Sequence, residues 1–205
     1  MTGKCSPVKK RCAPPPRFAQ EENDMITLNR HWTGGYRIAY PNGNPLGSIR
    51  QKPFSQRFTI MDPQGAAVGY TDMDVHGPID VGHTVFENTA YVLVSAQGGG
   101  RLATGRPAYN ESVDVTQLHT YLVKPPLADR IALCLDGTAD KLLLRVQMNG
   151  SATLSMEDGS VCGTVKRLEK GGFSVDLKQC EDTLLLCGIF LFTRYLLKEN
   201  ESILI

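Results

Sequence analysis

TLLLCGIFLFTRYLL, Thr183–Leu197, is the stretch that decides the fold. It is the only long apolar run in a chain of 205 residues that otherwise reads as β-hairpins. Its fifteen residues would form a helix of about 22 Å, at about 1.5 Å per residue. A bilayer core of roughly 30 Å needs about 20 apolar residues, and Arg194 interrupts this run. A helix that is apolar on every face has to be buried in protein. The β-structure preceding it is the place to bury it. The expected architecture is therefore mainly β, a sheet wrapped around a central hydrophobic helix over about residues 182–198.

Composition narrows the class. With 41% hydrophobic residues the chain fits one domain with a sizeable core, plus a tail. A formal net charge of +1 supplies no global field, so a nucleic-acid partner is not favoured. The six cysteines, Cys5, Cys12, Cys134, Cys162, Cys180 and Cys187, lack any CxxC pair. That spacing suggests neither a zinc site nor a disulfide scaffold. Cys134, Cys162 and Cys187 lie in apolar stretches and read as reduced core residues. The first thirty residues contain no apolar run of the kind a signal peptide needs. A reducing compartment is expected, the cytoplasm with the nucleus as the other candidate. The sequons at Asn110, Asn149 and Asn200 then carry little meaning.

Residues 1–25 differ from the rest. Met1–Gln20 carries Lys4, Lys9, Lys10, Arg11 and Arg17 with no acid, and includes Pro14-Pro15-Pro16. It has little to bury and is expected to be disordered or polyproline-like, outside a β domain of residues 26–205. Within that domain Tyr36–Tyr40, Leu46–Arg50, Phe58–Met61 and Ala67–Thr71 read as strands broken by Pro41–Asn44 and Asp62–Gly65. Thr89–Ala96 is a further strand, ended by Gly98–Gly100. Leu142–Met148 and Ser151–Met156 flank Asn149-Gly150, the pair preferred in a two-residue type I′ hairpin turn. Asp158-Gly159 leads into Val161–Lys166, and Phe173–Leu177 follows. There is an internal echo: Asn42-Gly43-x-x-x-Gly47 before Phe58, Asp158-Gly159-x-x-x-Gly163 before Phe173, and a truncated copy, Gly65-x-x-x-Gly69. It suggests two pseudo-equivalent halves of one β-structure.

Taken together, Asp158-Gly159-x-x-x-Gly163-x-Val165-Lys166, the return strand Phe173–Leu177, Asp182 and the apolar terminal segment resemble the tubby C-terminal-like superfamily. Its phospholipid scramblase and LURP-one-related branches are the nearest. Gly43–Arg50 followed by Phe58–Gly65 looks like the N-terminal hairpins of the same family, and the resemblance covers roughly residues 30–200. It implies a closed antiparallel β-barrel of about twelve strands, which encloses more space than its own side chains fill. The C-terminal helix would fill that space, and closure removes exposed strand edges. It also implies a non-enzymatic module that binds phospholipid or phosphoinositide at a membrane surface. The dense cysteine cluster of scramblases is missing; only Cys5 and Cys12 stand in its place.

Several clusters are candidates for function. Arg50, Lys52 and Arg57 lie in one hairpin loop, and Lys166, Arg167 and Lys170 in the loop the echo makes equivalent. Paired basic loops suit a phosphorylated lipid head group, because Lys and Arg donate to phosphate oxygens; ordinary solvated loops have the same composition. Cys5 and Cys12 in a basic tail are lipidation candidates, since one acyl chain holds a protein on a membrane only with a second signal. Asp72, Asp74, His76, Asp80 and His83 are spaced like a calcium loop, with Gly77 at its sixth position. His83 stands where a bidentate Glu belongs, so Ca²⁺ or a transition metal competes with a plain polar β-loop. No Gly-x-Ser-x-Gly, Walker or dinucleotide motif precedes a helix, and the four histidines lack an evident nucleophile partner.

The expected function is reversible docking on anionic phospholipid, peripheral to the membrane, with no cofactor. Scrambling is not expected, because a helix inside a barrel cannot also span a bilayer. The alternative is a soluble adaptor whose Pro14–Pro16 segment docks SH3- or WW-type proteins. A metal-dependent enzyme using the Asp72–His83 loop comes third.

Overall fold

The computed structural model describes residues 25–32, 34–75, 89–108, 128–138, 141–169, 171–178 and 180–203. The strands are β1 (Met25–Arg30), β2 (Tyr36–Ala39), β3 (Pro45–Gln51), β4 (Phe58–Met61), β5 (Ala67–Val75) and β6 (Thr89–Ser95). They continue as β7 (Arg101–Ala108), β8 (Arg130–Leu135), β9 (Lys141–Val146), β10 (Ala152–Met156), β11 (Val161–Arg167) and β12 (Phe173–Leu177). Every strand pairs antiparallel with its sequence neighbours, and β12 closes on β1, giving a closed barrel of twelve. Strands about 4.8 Å apart and tilted by about 40° make such a barrel roughly 24 Å across. That leaves room for one helix of about 10–12 Å. α1 (Thr183–Ile203) occupies it.

The alternation of each strand sets what points inward. In β9, Leu142, Leu144 and Val146 are buried while Lys141 and Arg145 are exposed. Helix residues Leu186, Cys187, Ile189–Thr193 and Tyr195–Leu197 are all buried. The helix seats closely against β5, β6 and β7. A Cβ added at Gly188 would lie 2.7 Å from Leu93 Cδ2, and one at Gly105 would lie 2.9 Å from Phe192 Cδ2. Aromatic rings complete the core: Phe190 meets Tyr36 edge-on at 4.8 Å and Phe173 at 5.2 Å, and Tyr91 stacks on Tyr195 at 5.3 Å.

Two rims result. The turns leading into β3, β5, β7, β9 and β11 lie on the lower rim, where the helix begins. Asp182 caps it there, its Oδ1 accepting from Leu184 N at 2.9 Å and Leu185 N at 3.3 Å. The turns leading into β2, β4, β10 and β12 lie on the upper rim, where the helix ends, with the strand ends at Val75, Thr89, Ala108 and Arg130. The helix runs five residues beyond the expected 198, because its last polar residues bind the wall instead of solvent. Tyr91 Oη donates to Glu199 Oε2, and Asn200 Nδ2 donates to the Ala128 carbonyl at 2.9 Å.

The echo has a different meaning from two halves. The β3–β4 and β11–β12 hairpins are separated only by β1 and β2. The motif marks one kind of hairpin. In β2–β3, β4–β5 and β10–β11 the register slips after Ile38↔Gly47, Ile60↔Gly69 and Leu154↔Gly163, leaving Leu46, Val68 and Cys162 as bulge residues. A fourth copy lies at Leu93↔Ala103, with Leu102 as the bulge. All four bulge residues pack against the core, as a bulge that sharpens twist and re-aims a side chain does.

Other expectations need correction. The Asn149-Gly150 turn is a three-residue loop: Gly150 N–H bonds to Gln147 O, Gln147 N–H bonds to Ser151 O, and only Gly150 takes a positive φ, of 86°. Type I′ needs positive φ at both central residues. Cys134 is exposed, not core, because Ile131 and Leu133 take the inward positions of β8. Asp72 and Asp74 belong to β5, not to a loop.

Candidate functional site on the upper rim

Four described hairpin ends follow one another around the upper rim: residues 147–151, 168–172, 31–35 and 52–57. Both predicted basic loops are among them, at one end of the barrel, but Arg50 belongs to β3 and Lys166 and Arg167 to β11, with Lys52 and Arg57 in the turn itself. The two loops are not adjacent, since the β1–β2 hairpin stands between them. Lys170 lies outside the described residues, as do Cys5, Cys12, Pro14–Pro16, His76, Asp80 and His83.

The basic side chains differ in their freedom. Arg57 Nη2 pairs with Asp72 Oδ2 at 2.8 Å, Arg57 Nε donates to the same oxygen at 2.9 Å, and the guanidinium lies 4.3 Å from the Tyr70 ring centre. Arg57 is thus held flat on the outer wall by a carboxylate and a ring. Asp74 likewise meets Arg101 at 3.4 Å. These pairs are largely exposed, of the kind worth only about 0–1 kcal/mol. Among the described residues, Arg50, Lys52, Lys166 and Arg167 have no carboxylate within ion-pair distance.

Sequence reasoning missed Arg37. It stands opposite Ser48 on the outer face of β2, diagonal to Arg50 on β3, and it too lacks an acid partner among the described residues. Diagonal cross-strand neighbours lie about 7–8 Å apart at Cα, and like charges at that range repel unless an anion lies between them. Arg37, Arg50, His31, Tyr36, Ser48 and Gln51 line one cleft of about 410 Å³. Hydroxyl, amide and two guanidinium groups give that cleft donors suited to phosphate oxygens. The signal was present as alternation: Arg37 faces outward because Tyr36 and Ile38 face in.

The aromatic residues were also missed. Trp32, the single tryptophan of the chain, is 90% exposed in the β1–β2 turn, and Phe54 is 110% exposed in the β3–β4 turn. Met148, at 75%, tips the β9–β10 turn. Phe54 is the one described non-glycine residue with positive φ, 60°.

Beneath the rim sits a polar cluster inside the barrel. Tyr195 Oη donates to the Gln56 carbonyl at 2.7 Å and shares a 3.1 Å bond with Thr71 Oγ1. Burial pushes the Tyr195 phenol and the Glu199 carboxyl upward. It does the same to the Cys187 thiol in mid-helix. These groups tie the helix end to the wall and the 52–57 loop.

Among the described residues, no group of three or more His, Cys, Asp or Glu side chains could hold a metal, and no helix is long and apolar enough to cross a membrane.

The barrel is similar to that of an Arabidopsis thaliana protein of known X-ray structure, AT5G01750. The TM-score is 0.54 at 11% identity, over 84% of this chain and 91% of that one. The architecture fits the tubby-like fold. At that identity the likeness speaks for fold alone. No protein-family model matches the chain, and no curated protein sequence is significantly similar to it.

Proposed function

We propose that this tubby-like barrel is a non-enzymatic module that binds anionic phospholipid, phosphoinositide included. It would act in the cytoplasm, peripheral to the membrane, within the LURP-one-related and scramblase branch. One observation carries the reading. Arg37 and Arg50 face one cleft of about 410 Å³ with no acid between them, and Lys52, Lys166 and Arg167 share the same rim. Unpaired cations converging on a concave surface lack only the anion. Each basic residue near an anionic leaflet contributes about 1 kcal/mol.

Vesicle sedimentation of the full chain tests this. Binding should require phosphatidylserine or phosphoinositide and weaken with salt. Replacing Arg37 and Arg50 together by Gln should remove about 2 kcal/mol, roughly 30-fold in affinity. Equal binding to neutral phosphatidylcholine, or none to anionic vesicles, overturns the proposal.

A further inference from the structure

We infer that Trp32 and Phe54 are membrane anchors, the two side chains that enter the bilayer interface when the upper rim docks. The inference rests on the anionic-lipid reading and names the surface that touches the lipid. Three independent features lead to it.

The first is exposure without cover. Solitary exposed apolar residues are ordinary on a protein surface. Here the two most exposed large apolar side chains of the described residues, Trp32 at 90% and Phe54 at 110%, stand on neighbouring hairpins of one rim. Their hairpins are two strands apart, so the turn centres lie about 10 Å from each other. Met148 makes a third apolar tip two hairpins further round.

The second is that both tips are held in place. Phe54 takes φ 60°, a conformation that non-glycine residues seldom adopt and that persists only where the surroundings enforce it. Enforcement is visible: Ser55 N–H bonds to Lys52 O at 3.2 Å, Gln51 Nε2 bonds to Ser55 O at 2.7 Å, and Tyr195 reaches from the core to Gln56 O at 2.7 Å. The Trp32 turn closes through His31 N–H to Gly35 O and Gly34 N–H to His31 O, both at 3.0 Å. A turn spending strain to present a phenyl ring to solvent is accounted for if that ring meets a partner.

The third is the chemistry of the flanks. Arg37 and Arg50 lie on the strands that end in the two turns and Lys52 lies in the Phe54 turn, and Lys166 and Arg167 follow on the next hairpin. Trp belongs at the level of lipid head groups, with its apolar body in and its N–H wet. Cations around an aromatic tip fit a surface whose phosphates lie beside its acyl chains. A protein partner recognised through these rings would not need unpaired cations on both sides.

The single tryptophan makes the test direct. Full-length protein is mixed with vesicles of phosphatidylcholine containing about one-third phosphatidylserine, a strongly anionic surface. Binding is read by sedimentation and Trp32 emission by fluorescence. The expected result is binding, a blue shift, and quenching of Trp32 by lipids brominated on their acyl chains. Trp32→Ala and Phe54→Ser should each weaken binding about 10-fold and leave its salt dependence unchanged, because no charge is removed. Both positions are exposed, so both variants should fold. Binding with Trp32 emission unmoved overturns the anchor while leaving the anionic-lipid reading intact. No sedimentation with anionic vesicles overturns both.

Discussion

Phe190→Ala is the perturbation that tests most sharply whether the terminal helix is the core of the barrel. Phe190 is wholly buried and touches two rings, Tyr36 edge-on at 4.8 Å and Phe173 at 5.2 Å. Truncating a buried phenylalanine costs about 3–5 kcal/mol, from lost transfer and from the cavity left behind. That is a large share of the roughly 5–15 kcal/mol that holds a domain together. For a domain of about 150–250 residues each kcal/mol moves Tm by about 2–4 °C, so the melting point should fall by roughly 6–20 °C. Urea unfolding should show a lower midpoint with an unchanged slope. Phe190→Leu, closer in volume, should lose less than about 1.5 kcal/mol. Combining Phe190→Ala with Phe173→Ala should cost less than the sum, by about 0.5–1.5 kcal/mol, because the second truncation removes a contact already lost. A loss below about 1 kcal/mol for Phe190→Ala, or strict additivity with Phe173→Ala, would place the helix outside the barrel and refute the fold argument.

Thiol labelling gives an independent check. In a variant keeping only Cys134 and Cys187, Cys134 on the outer wall should react in native protein. Cys187, wholly buried and with its thiol pushed up by burial, should react only on unfolding; native labelling of Cys187 would contradict the packing. Glu199→Gln should change the pH dependence of stability. Burial raises the folded pKa of Glu199 above its ordinary 4.5, so its contribution is complete below that value and is lost as pH rises through the folded pKa. The Gln variant, whose carbonyl still accepts from Tyr91, should therefore gain on wild type at neutral pH and lose that gain in acid. Urea midpoints across the pH range decide it, and a variant equally destabilised at every pH would be evidence against the assignment. Asp182→Ala should cost about 1 kcal/mol through the lost helix cap, with Asn at 182 restoring most of it; a neutral Ala variant would mean the cap contributes nothing.

The helix and the barrel were legible because their signals are long or repeated. Fifteen residues, apolar but for Thr183, Thr193 and Arg194, admit few burial sites, and a closed barrel is one that uses the whole apolar perimeter. Arg194 fits that reading: its Nη1 would lie 3.6 Å from a Cβ at Gly150, at the upper rim, so the stem runs along the core while the charge reaches the turn. What stayed hidden was register. The Gly-x-x-x-Gly echo was correctly seen as a repeated unit, yet its cause, a bulge one residue before the second glycine, appears only once cross-strand pairs are known. The same blindness placed Asp72 and Asp74 in a loop. Aspartate is depleted in strands, and the facing Arg57 and Arg101 help to make those positions acceptable.

The candidate site was half legible, for a reason that lies in the topology. A net charge of +1 gives no hint of a field, because it sums over positions that folding separates. In the barrel, Asp62, Asp136, Glu157, Asp158, Glu181 and Asp182 sit in turns of the lower rim, where Lys178 and Lys141 partly offset them. Arg37, Arg50, Lys52, Lys166 and Arg167 lie toward the upper rim. Alternate connections of an up-and-down barrel fall at opposite ends, so charges that alternate by hairpin along the sequence add within each rim instead of cancelling. Among the described residues the upper rim is predominantly basic, with Glu169 and Asp129 as its exceptions, and the lower rim predominantly acidic; the two lie about one strand length apart, roughly 20 Å, well beyond the screening length of about 8 Å at physiological salt. On the proposed lipid-binding reading, an anionic surface would meet the upper rim as a separate basic object and turn the lower rim away. The cations would orient the approach and the two aromatic tips would meet the surface first, so neither set alone marks the site in the sequence.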